Sequence, residues 1–234
     1  MKKLICLAHR GASGHEPENT LLAIEKALQL GADWIEVDVY AVENELVVIH
    51  DDRLERTTNG RGFVAQQSLA YLRSLDAGKG ERIPFLREVF ELVCHRAGIN
   101  VEIKGANTPA LLVSLIDDSV RNHGWSHDQI LVSSFDHDEL MKVKALQPMI
   151  KLGALLADNP LQWKKIAERI GAYSLHVSLS FVNEQFVNDA HQRGLKVFVF
   201  TVNTASLVQR MRALGVDGVF SDYPAISLII TDNN

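Results

Sequence analysis

The chain has little cysteine for its length of 234 residues, with only Cys6 and Cys94. Two thiols this far apart do not make a disulfide framework of the kind that stabilises small secreted domains. They also lack the paired spacing of a structural zinc site. Cys6 lies in a short apolar run and Cys94 lies in a helical pattern, so both are predicted to be buried free thiols.

Long apolar runs and basic clusters are also missing. No apolar segment approaches the roughly 18 residues of a membrane span, and the first run, Leu4–Ala8, is interrupted by His9-Arg10, which does not fit a secretion signal. Lysine and arginine number 24 against 29 acidic residues, which gives a formal net charge of -5. This balance disfavours nucleic acid and stable membrane association as partners. A soluble, cytoplasmic protein is the expectation.

The chain does contain a regular alternation of strand-like apolar runs and helical patterns. The predicted helices include residues 85–97 and 161–170, and Asn19 or Thr20 can cap the first helix. Several of the helical patterns end at a glycine, as at Gly31, Gly194 and Gly215. The predicted strands are residues 4–8, 34–39, 99–104, 130–134, 150–155, 174–177, 196–201 and 216–220. Repeated strand–helix units predict a parallel sheet, and eight of them predict a closed (β/α)8 TIM barrel. An open doubly wound sheet is the alternative.

Residues 41–84 interrupt this alternation. They contain a short extended segment at Glu45–His50, a polar, glycine-bearing loop and a predicted short helix at Ser68–Ser74. A long excursion within a regular fold is more often functional than accidental. The prediction is one domain over residues 1–234, with a small insertion at about residues 41–84 after the second strand.

Three acidic residues lie at the ends of predicted strands. Glu36 and Asp38 end the second strand, and Glu102 ends the third, two residues before Lys104. Side chains two residues apart on a strand share a face, and the carboxyl ends of barrel strands form the active-site mouth. Converging carboxylates repel one another unless a cation lies between them. The pattern therefore predicts one divalent cation, either Mg²⁺ or Ca²⁺.

Ordinary surface charge is the alternative interpretation of these acids. For a single acid at a strand end it is the better one. It explains less well an E-x-D and an E-x-K pattern on adjacent strands with apolar flanking residues, because an unpaired polar group on an inward face costs stability.

Two of the nine histidines directly follow strand-like apolar runs. His9 follows the first strand, and His50 follows Val47-Val48-Ile49 in the excursion. Histidine takes up or releases a proton near neutral pH, so this pair suits general acid–base catalysis. Among the others, His15 and His176 are predicted to border the pocket at most.

A set of short motifs spans nearly the whole chain. They are His9-Arg10-Gly11, Pro17-Glu18-Asn19-Thr20, Glu36-Val37-Asp38, Val47–Asp51, Arg56-Thr57-Thr58, Ile83-Pro84, Val101–Lys104, Phe200–Asn203 and Ser221–Pro224. A His-Arg-Gly triplet alone is weak evidence. In this order, however, the set resembles the glycerophosphodiester phosphodiesterase family, of the cytosolic bacterial type.

The resemblance implies a (β/α)8 barrel with a small insertion after the second strand. It implies metal-dependent hydrolysis of glycerophosphodiesters to glycerol 3-phosphate and an alcohol. Glu36, Asp38 and Glu102 would bind the cation, and His9 and His50 would be the general acid–base pair.

The resemblance also implies contacts to the substrate. Arg10 and Lys104 would hold the phosphate. Phe200 stands where many members have tryptophan, and its ring would pack against the glycerol carbons. This difference puts the fine substrate preference in doubt, not the chemistry.

Two alternatives stay open at this stage. A lysophospholipase D-like enzyme on the same barrel would be expected to carry an apolar membrane-docking surface. A catalytically silent barrel that only binds glycerophosphate compounds would be expected to have lost one of the acids or histidines. The sequence leaves open the head group, the choice of ion, which histidine is the acid, a cyclic phosphate intermediate, and a homodimer.

Overall fold

Parallel strands close into a ring that positions the site. The computed structural model describes residues 3–156 and 162–227. The strands in these residues are β1 (Ile5–Ala8), β2 (Trp34–Val42), β3 (Glu45–Val48), β4 (Gly98–Ile103), β5 (Ile130–Ser134), β6 (Lys151–Leu156), β7 (Ser174–Ser178), β8 (Lys196–Phe200) and β9 (Gly218–Ser221). All except β3 pair in parallel, and β1 closes the ring by pairing with both β2 and β9. The predicted (β/α)8 barrel is confirmed, and an open sheet is excluded.

Helices pack around the ring. In the described residues they are α1 (Leu21–Gln29), α2 (Leu69–Ser74), α3 (Leu86–Val93), α4 (Thr108–Asn122), α5 (His137–Leu146), α6 (Trp163–Ile170), α7 (Glu184–Gln192) and α8 (Ala205–Leu214). Thr20 caps α1, since its hydroxyl accepts from the Ala23 N–H. Leu161, where one helix was predicted to begin, lies outside the described residues. None of these helices is both long and apolar enough to cross a membrane.

The apolar core has an outer and an inner layer. Outward residues of β2 and β4, including Ile35, Val37 and Val101, are buried in the larger apolar cluster under the helices. This follows the predicted alternation, which leaves the charged residues of the same strands facing inward. Leu131 and Phe220 belong to a smaller cluster inside the ring.

The insertion begins with a hairpin that returns the chain to the barrel mouth. β3 runs antiparallel to β2, with Val48 opposite Val39. The Ile49 N–H then donates to the Asp38 carbonyl at 3.0 Å, which places His50 beside the end of β2. Beyond it, the insertion buries a small apolar cluster of its own, which contains Val42, Val47, Ile49, Leu54, Val64, Leu72, Leu75, Ala77 and Ile83.

The two cysteines differ in exposure. Cys6 is buried, but Cys94 is exposed. The prediction of burial was wrong for Cys94, because α3 ends at Val93 and Cys94 takes a left-handed conformation as its C-cap (φ 43°). The side chain thereby leaves the buried face of the helix.

Candidate active site

One cavity of about 160 Å³ opens at the carboxyl ends of the barrel strands. It is lined by His9, Arg10, Glu36, His50, Glu102, Lys104, Phe135, Leu155, Phe200, Thr201 and Phe220. Every predicted site residue except Asp38 belongs to this lining. Asp38 lies directly behind it, 3.5 Å from the Arg10 Nε. The structure therefore brings the predicted residues together at one mouth.

The three acids form a cluster because of strand register. Asp38 of β2 is the Cα partner of Glu102 of β4, and Glu36 lies two residues earlier on the same face. One carboxylate oxygen from each lies within 4.8 Å of the others. Glu36 and Asp38 are each only 1% exposed.

The electrostatics of the cluster are unfavourable without a cation. Burial raises the pKa of Glu36 well above its usual range, and the charges of Asp38 and Glu102 raise it further. Burial and the charge of Asp38 likewise raise the pKa of Glu102. The Glu36 Oε1 atom is buried without a hydrogen-bond partner in the described residues. An all-oxygen donor set with a buried unpaired oxygen fits a hard divalent cation.

Asn19 orients one of these acids. Its Nδ2 donates to the Asp38 Oδ2 at 2.9 Å, and its Oδ1 accepts from the Asp38 backbone N–H at 3.3 Å. The sequence suggested Asn19 or Thr20 as a helix cap, but the structure gives that role to Thr20. The only sequence signal for Asn19 is its place in the Pro-Glu-Asn-Thr motif.

Each candidate catalytic histidine is backed by an aspartate. The His9 Nδ1 lies 2.7 Å from the Asp222 Oδ1, and the His50 Nδ1 lies 2.7 Å from the Asp51 Oδ1. A carboxylate at Nδ1 fixes the proton there and leaves Nε2 free for chemistry. The His50 Nε2 lies 3.3 Å from the Lys104 Nζ. Burial lowers the pKa of His50, although Asp38 and Asp51 oppose this.

Asp222 is held by neutral donors from two loops. The Ser13 hydroxyl donates to its Oδ1 at 2.9 Å, and the Asn203 Nδ2 donates to its Oδ2 at 2.6 Å. Burial opposes ionisation of Asp222, but the hydrogen bond and charge of His9 outweigh it and hold the pKa at about 2. Asp222 is thus ionised at neutral pH and can stabilise a protonated His9.

The two predicted phosphate ligands both contact acids. The Lys104 Nζ donates to the Glu102 Oε1 at 2.9 Å, and the Arg10 Nη1 donates to the Glu18 Oε1 at 2.8 Å. Burial would lower the pKa of Lys104, but the charges of Glu102 and Asp38 outweigh it and raise the pKa. The cavity therefore keeps fixed positive charge beside the acidic cluster.

Part of the cavity lining is apolar. Phe200 meets Phe135 edge to face, with ring centroids 6.2 Å apart. Phe135 was missed by the sequence analysis, although it directly follows β5, and it is 44% exposed. Its ring centroid lies 5.9 Å from the Lys104 Nζ. A ligand here would meet both charged and apolar side chains.

His176, which the sequence left as a residue that borders the pocket at most, does not belong to the cavity lining. His176 is fully buried inside the barrel, below the mouth, with its ring centroid 5.0 Å from that of Phe220. Its Nε2 lies 2.9 Å from the Ser174 hydroxyl. Burial lowers the pKa of His176 to about 3, so it is neutral at physiological pH. His15 is also outside the lining and contacts Tyr223.

A larger cavity, about 290 Å³, lies between α3 and α4. It is lined by Arg87, Phe90, Glu91, Cys94, His95, Leu115, Asp118, Ser119, His123 and Trp125. It is larger than the cavity at the barrel mouth, but the acidic cluster and both carboxylate-backed histidines lie at the mouth. Because active sites of parallel barrels form at that end, the mouth is the candidate active site.

The chain is similar to known proteins over most of its length. The chain is 38% identical to a glycerophosphodiester phosphodiesterase of Caldanaerobacter subterraneus subsp. tengcongensis, over 95% of each chain. It is 24% identical to a lysophospholipase D of Homo sapiens, over 93% of this chain and 83% of that protein. Among solved structures, an Oleispira antarctica phosphodiesterase in complex with the product sn-glycerol-3-phosphate has a TM-score of 0.89 and 36% identity. The match covers 98% of this chain and 97% of that one. Residues 9–226 match the model of the glycerophosphoryl diester phosphodiesterase family, and the chain therefore belongs to that family.

Proposed function

We propose that this enzyme hydrolyses glycerophosphodiesters to glycerol 3-phosphate and an alcohol. The observation that carries the proposal is the joint presence, in one cavity of about 160 Å³, of the acidic cluster and two carboxylate-backed histidines. The relative from Caldanaerobacter, whose name gives this activity, supports it. The product bound to the Oleispira protein supports it as well.

Glu36, Asp38 and Glu102 would hold one divalent cation, Mg²⁺ or Ca²⁺. When bound, the ion would withdraw charge from the phosphate oxygens and balance the three carboxylates. The raised pKa values of Glu36 and Glu102 support this assignment, because burial and the neighbouring carboxylates disfavour their ionised forms and a bound cation would offset both effects.

His9 and His50 would carry the protons. One histidine would accept a proton from the nucleophile, either water or a glycerol hydroxyl, as its oxygen bonds to phosphorus; a cyclic phosphate made by the glycerol hydroxyl would then be opened by water. The other would donate a proton to the alcohol oxygen as its bond to phosphorus breaks. Asp222 and Asp51, at 2.7 Å from the two rings, would stabilise whichever ring is protonated.

Arg10 and Lys104 would contact the phosphate, where negative charge grows in the transition state. Phe200 would lie against the glycerol carbons. The presence of Arg10, Lys104 and Phe200 in one lining supports this arrangement, because a glycerophosphodiester joins a charged phosphate to the carbon atoms of glycerol.

A lysophospholipase D-like activity is the second candidate. The exposed ring of Phe135 and the human relative are the observations in its favour. The described cavity is small, so an acyl chain would have to lie outside it. The silent-barrel alternative is disfavoured, because both histidines are present in one cavity together with the complete cluster of three acids.

The test couples glycerol 3-phosphate release to its dehydrogenase, with purified protein and glycerophosphocholine, with and without EDTA. We expect release that EDTA abolishes and that added Mg²⁺ or Ca²⁺ restores. Release that survives exhaustive chelation would overturn the cation assignment alone. No release from any glycerophosphodiester, together with choline release from lysophosphatidylcholine, would favour the second candidate.

A further inference from the structure

Arg56, in the insertion, bridges two acids next to the site. Its Nη1 and Nη2 donate to the two oxygens of Glu18 at 2.7 and 2.8 Å. Its Nε and Nη2 donate to the two oxygens of Asp51 at 2.6 and 2.9 Å. One guanidinium therefore makes a two-pronged contact with each carboxylate, which fixes both in direction as well as in distance.

Each of these acids in turn holds a residue of the proposed machinery. Asp51 accepts from the His50 ring, and Glu18 accepts from the Arg10 guanidinium. Arg56 itself lines no part of the cavity. Arg56 therefore reaches the proposed catalytic His50 and phosphate-binding Arg10 only indirectly, through Asp51 and Glu18.

The two histidine–aspartate pairs differ in what holds the aspartate. Asp222 is held by Ser13 and Asn203, which are neutral and come from loops at the barrel mouth. In the described part of the chain, Asp51 accepts side-chain hydrogen bonds from its own histidine and from Arg56. The orientation of Asp51 thus depends on the insertion.

We propose that Arg56 is a positioning residue that fixes Asp51, and through it the ring of His50, for proton transfer. The inference rests on the proposed acid–base role of His50. Lysine could not replace arginine here, because an ammonium cannot present paired donors to two carboxylates at once. The insertion would then hold His50, one member of the proposed acid–base pair, in position.

Removing Arg56 has a second consequence for His50. The charged groups in contact with the His50 ring are Asp51 and Lys104, and Asp38 and Arg10 act from further away. Without Arg56, the negative charge of Asp51 acts on the ring uncompensated, which favours the protonated ring. The limb of the pH–rate profile set by His50 would then move to higher pH, whether that histidine acts as acid or base.

The experiment compares Arg56→Ala and Arg56→Lys with Arg53→Ala. Arg53 is a matched control in the same insertion: it is 50% exposed against 48% for Arg56, and it pairs with Glu55 away from the cavity. We expect Arg56→Ala to lower kcat by about ten- to a hundredfold, the scale of a misplaced catalytic group. Arg56→Lys would recover little of this loss, and Arg53→Ala would keep the original kcat.

A double-mutant cycle with Asp51→Asn tests whether Arg56 acts through Asp51. If Arg56 acts through Asp51, Arg56→Ala will cost much less in the Asp51→Asn background than alone. Additive losses, or an unshifted pH profile with full kcat in Arg56→Ala, would overturn the inference.

Thermal melts identify any variant that fails to fold, and Arg56→Gln then replaces it. His50→Ala separates the two hypotheses: full activity in that variant overturns the role of His50, whereas its inactivity beside a normal Arg56→Ala overturns only the positioning role.

Discussion

At the scale of single residues, the sequence predicts which side chains meet but not what holds them. Glu36 and Asp38 could be placed at the mouth because strand side chains alternate and barrel strands end there. The partners of the histidines could not be predicted, because His9 and Asp222 are 213 positions apart in the sequence and their side chains meet only when the barrel closes. Asp51 adjoins His50, but adjacency does not reveal that their side chains bond.

The proposed acid–base pair gives the first residue-scale prediction. His9→Ala and His50→Ala should each lower turnover of glycerophosphocholine by about two orders of magnitude or more, the scale of lost proton transfer. Steady-state kinetics at saturating cation would measure this. His123→Ala, which changes an exposed residue, serves as the control and should turn over normally. Near-normal turnover in either test variant would remove that histidine from the mechanism.

At the scale of elements, the order and type of strands and helices followed from hydrophobic periodicity. Their ends did not. The helix predicted over residues 85–97 is α3, Leu86–Val93, because Cys94 and His95 both take left-handed conformations. Local pattern does not show where a chain will leave a helix. The antiparallel pairing of β3 with β2 was also not predicted, because it depends on the turn that follows Val42.

The inward face of β7 gives a prediction about stability. The pKa of His176 is about 3 in the folded protein and about 6.5 in an unfolded chain. The neutral ring therefore contributes stability above pH 6.5 that is lost as pH falls toward the folded pKa, by at most about 1.4 kcal/mol per pH unit. His176→Gln should flatten the dependence of the free energy of unfolding on pH between about pH 6.5 and pH 4. Urea titrations at several pH values would measure it.

The control for this measurement is His15→Gln, since His15 is exposed. It should keep the slope of the original protein. An unchanged slope in His176→Gln would mean that other groups cause the acid sensitivity.

At the scale of the whole molecule, the cation and folding should be linked through pH. The pKa values of Glu36 and Glu102 are raised on folding. Without a cation, their contribution to stability is fully present below the unfolded pKa, about 4.3, and is lost as pH rises through the folded pKa. A cation competes with protons for the same oxygens, so its stabilising effect should grow with pH.

Unfolding with excess Mg²⁺ or Ca²⁺ and with EDTA, at about pH 5 and about pH 8, would measure this effect. A hundredfold excess over Kd should add about 2.7 kcal/mol at the higher pH and less at the lower one. Subtracting the free energy of unfolding in EDTA from that with the cation, at each pH, cancels the contribution of His176. Glu36→Gln should lose most of the effect, and a cation effect that is equal at both pH values would contradict the linkage.

Other whole-molecule expectations stay predictions. The single-domain organisation over residues 1–234 and the cytoplasmic location follow from the sequence, and the barrel itself does not test them; a homodimer stays open. The fold was predictable as a whole because eight similar units leave few arrangements. The insertion was predictable only as an interruption, since its small apolar cluster has no repeat to reveal it.

The closure of the ring has a consequence for incompletely synthesised chains. His9 is synthesised long before its partner Asp222, which lies on the loop after β9. A chain cut short before β9 would retain both histidines and all three acids, yet the His9 ring would lack its partner. We therefore expect a copy truncated before β9 to have lost the proposed proton transfer at His9.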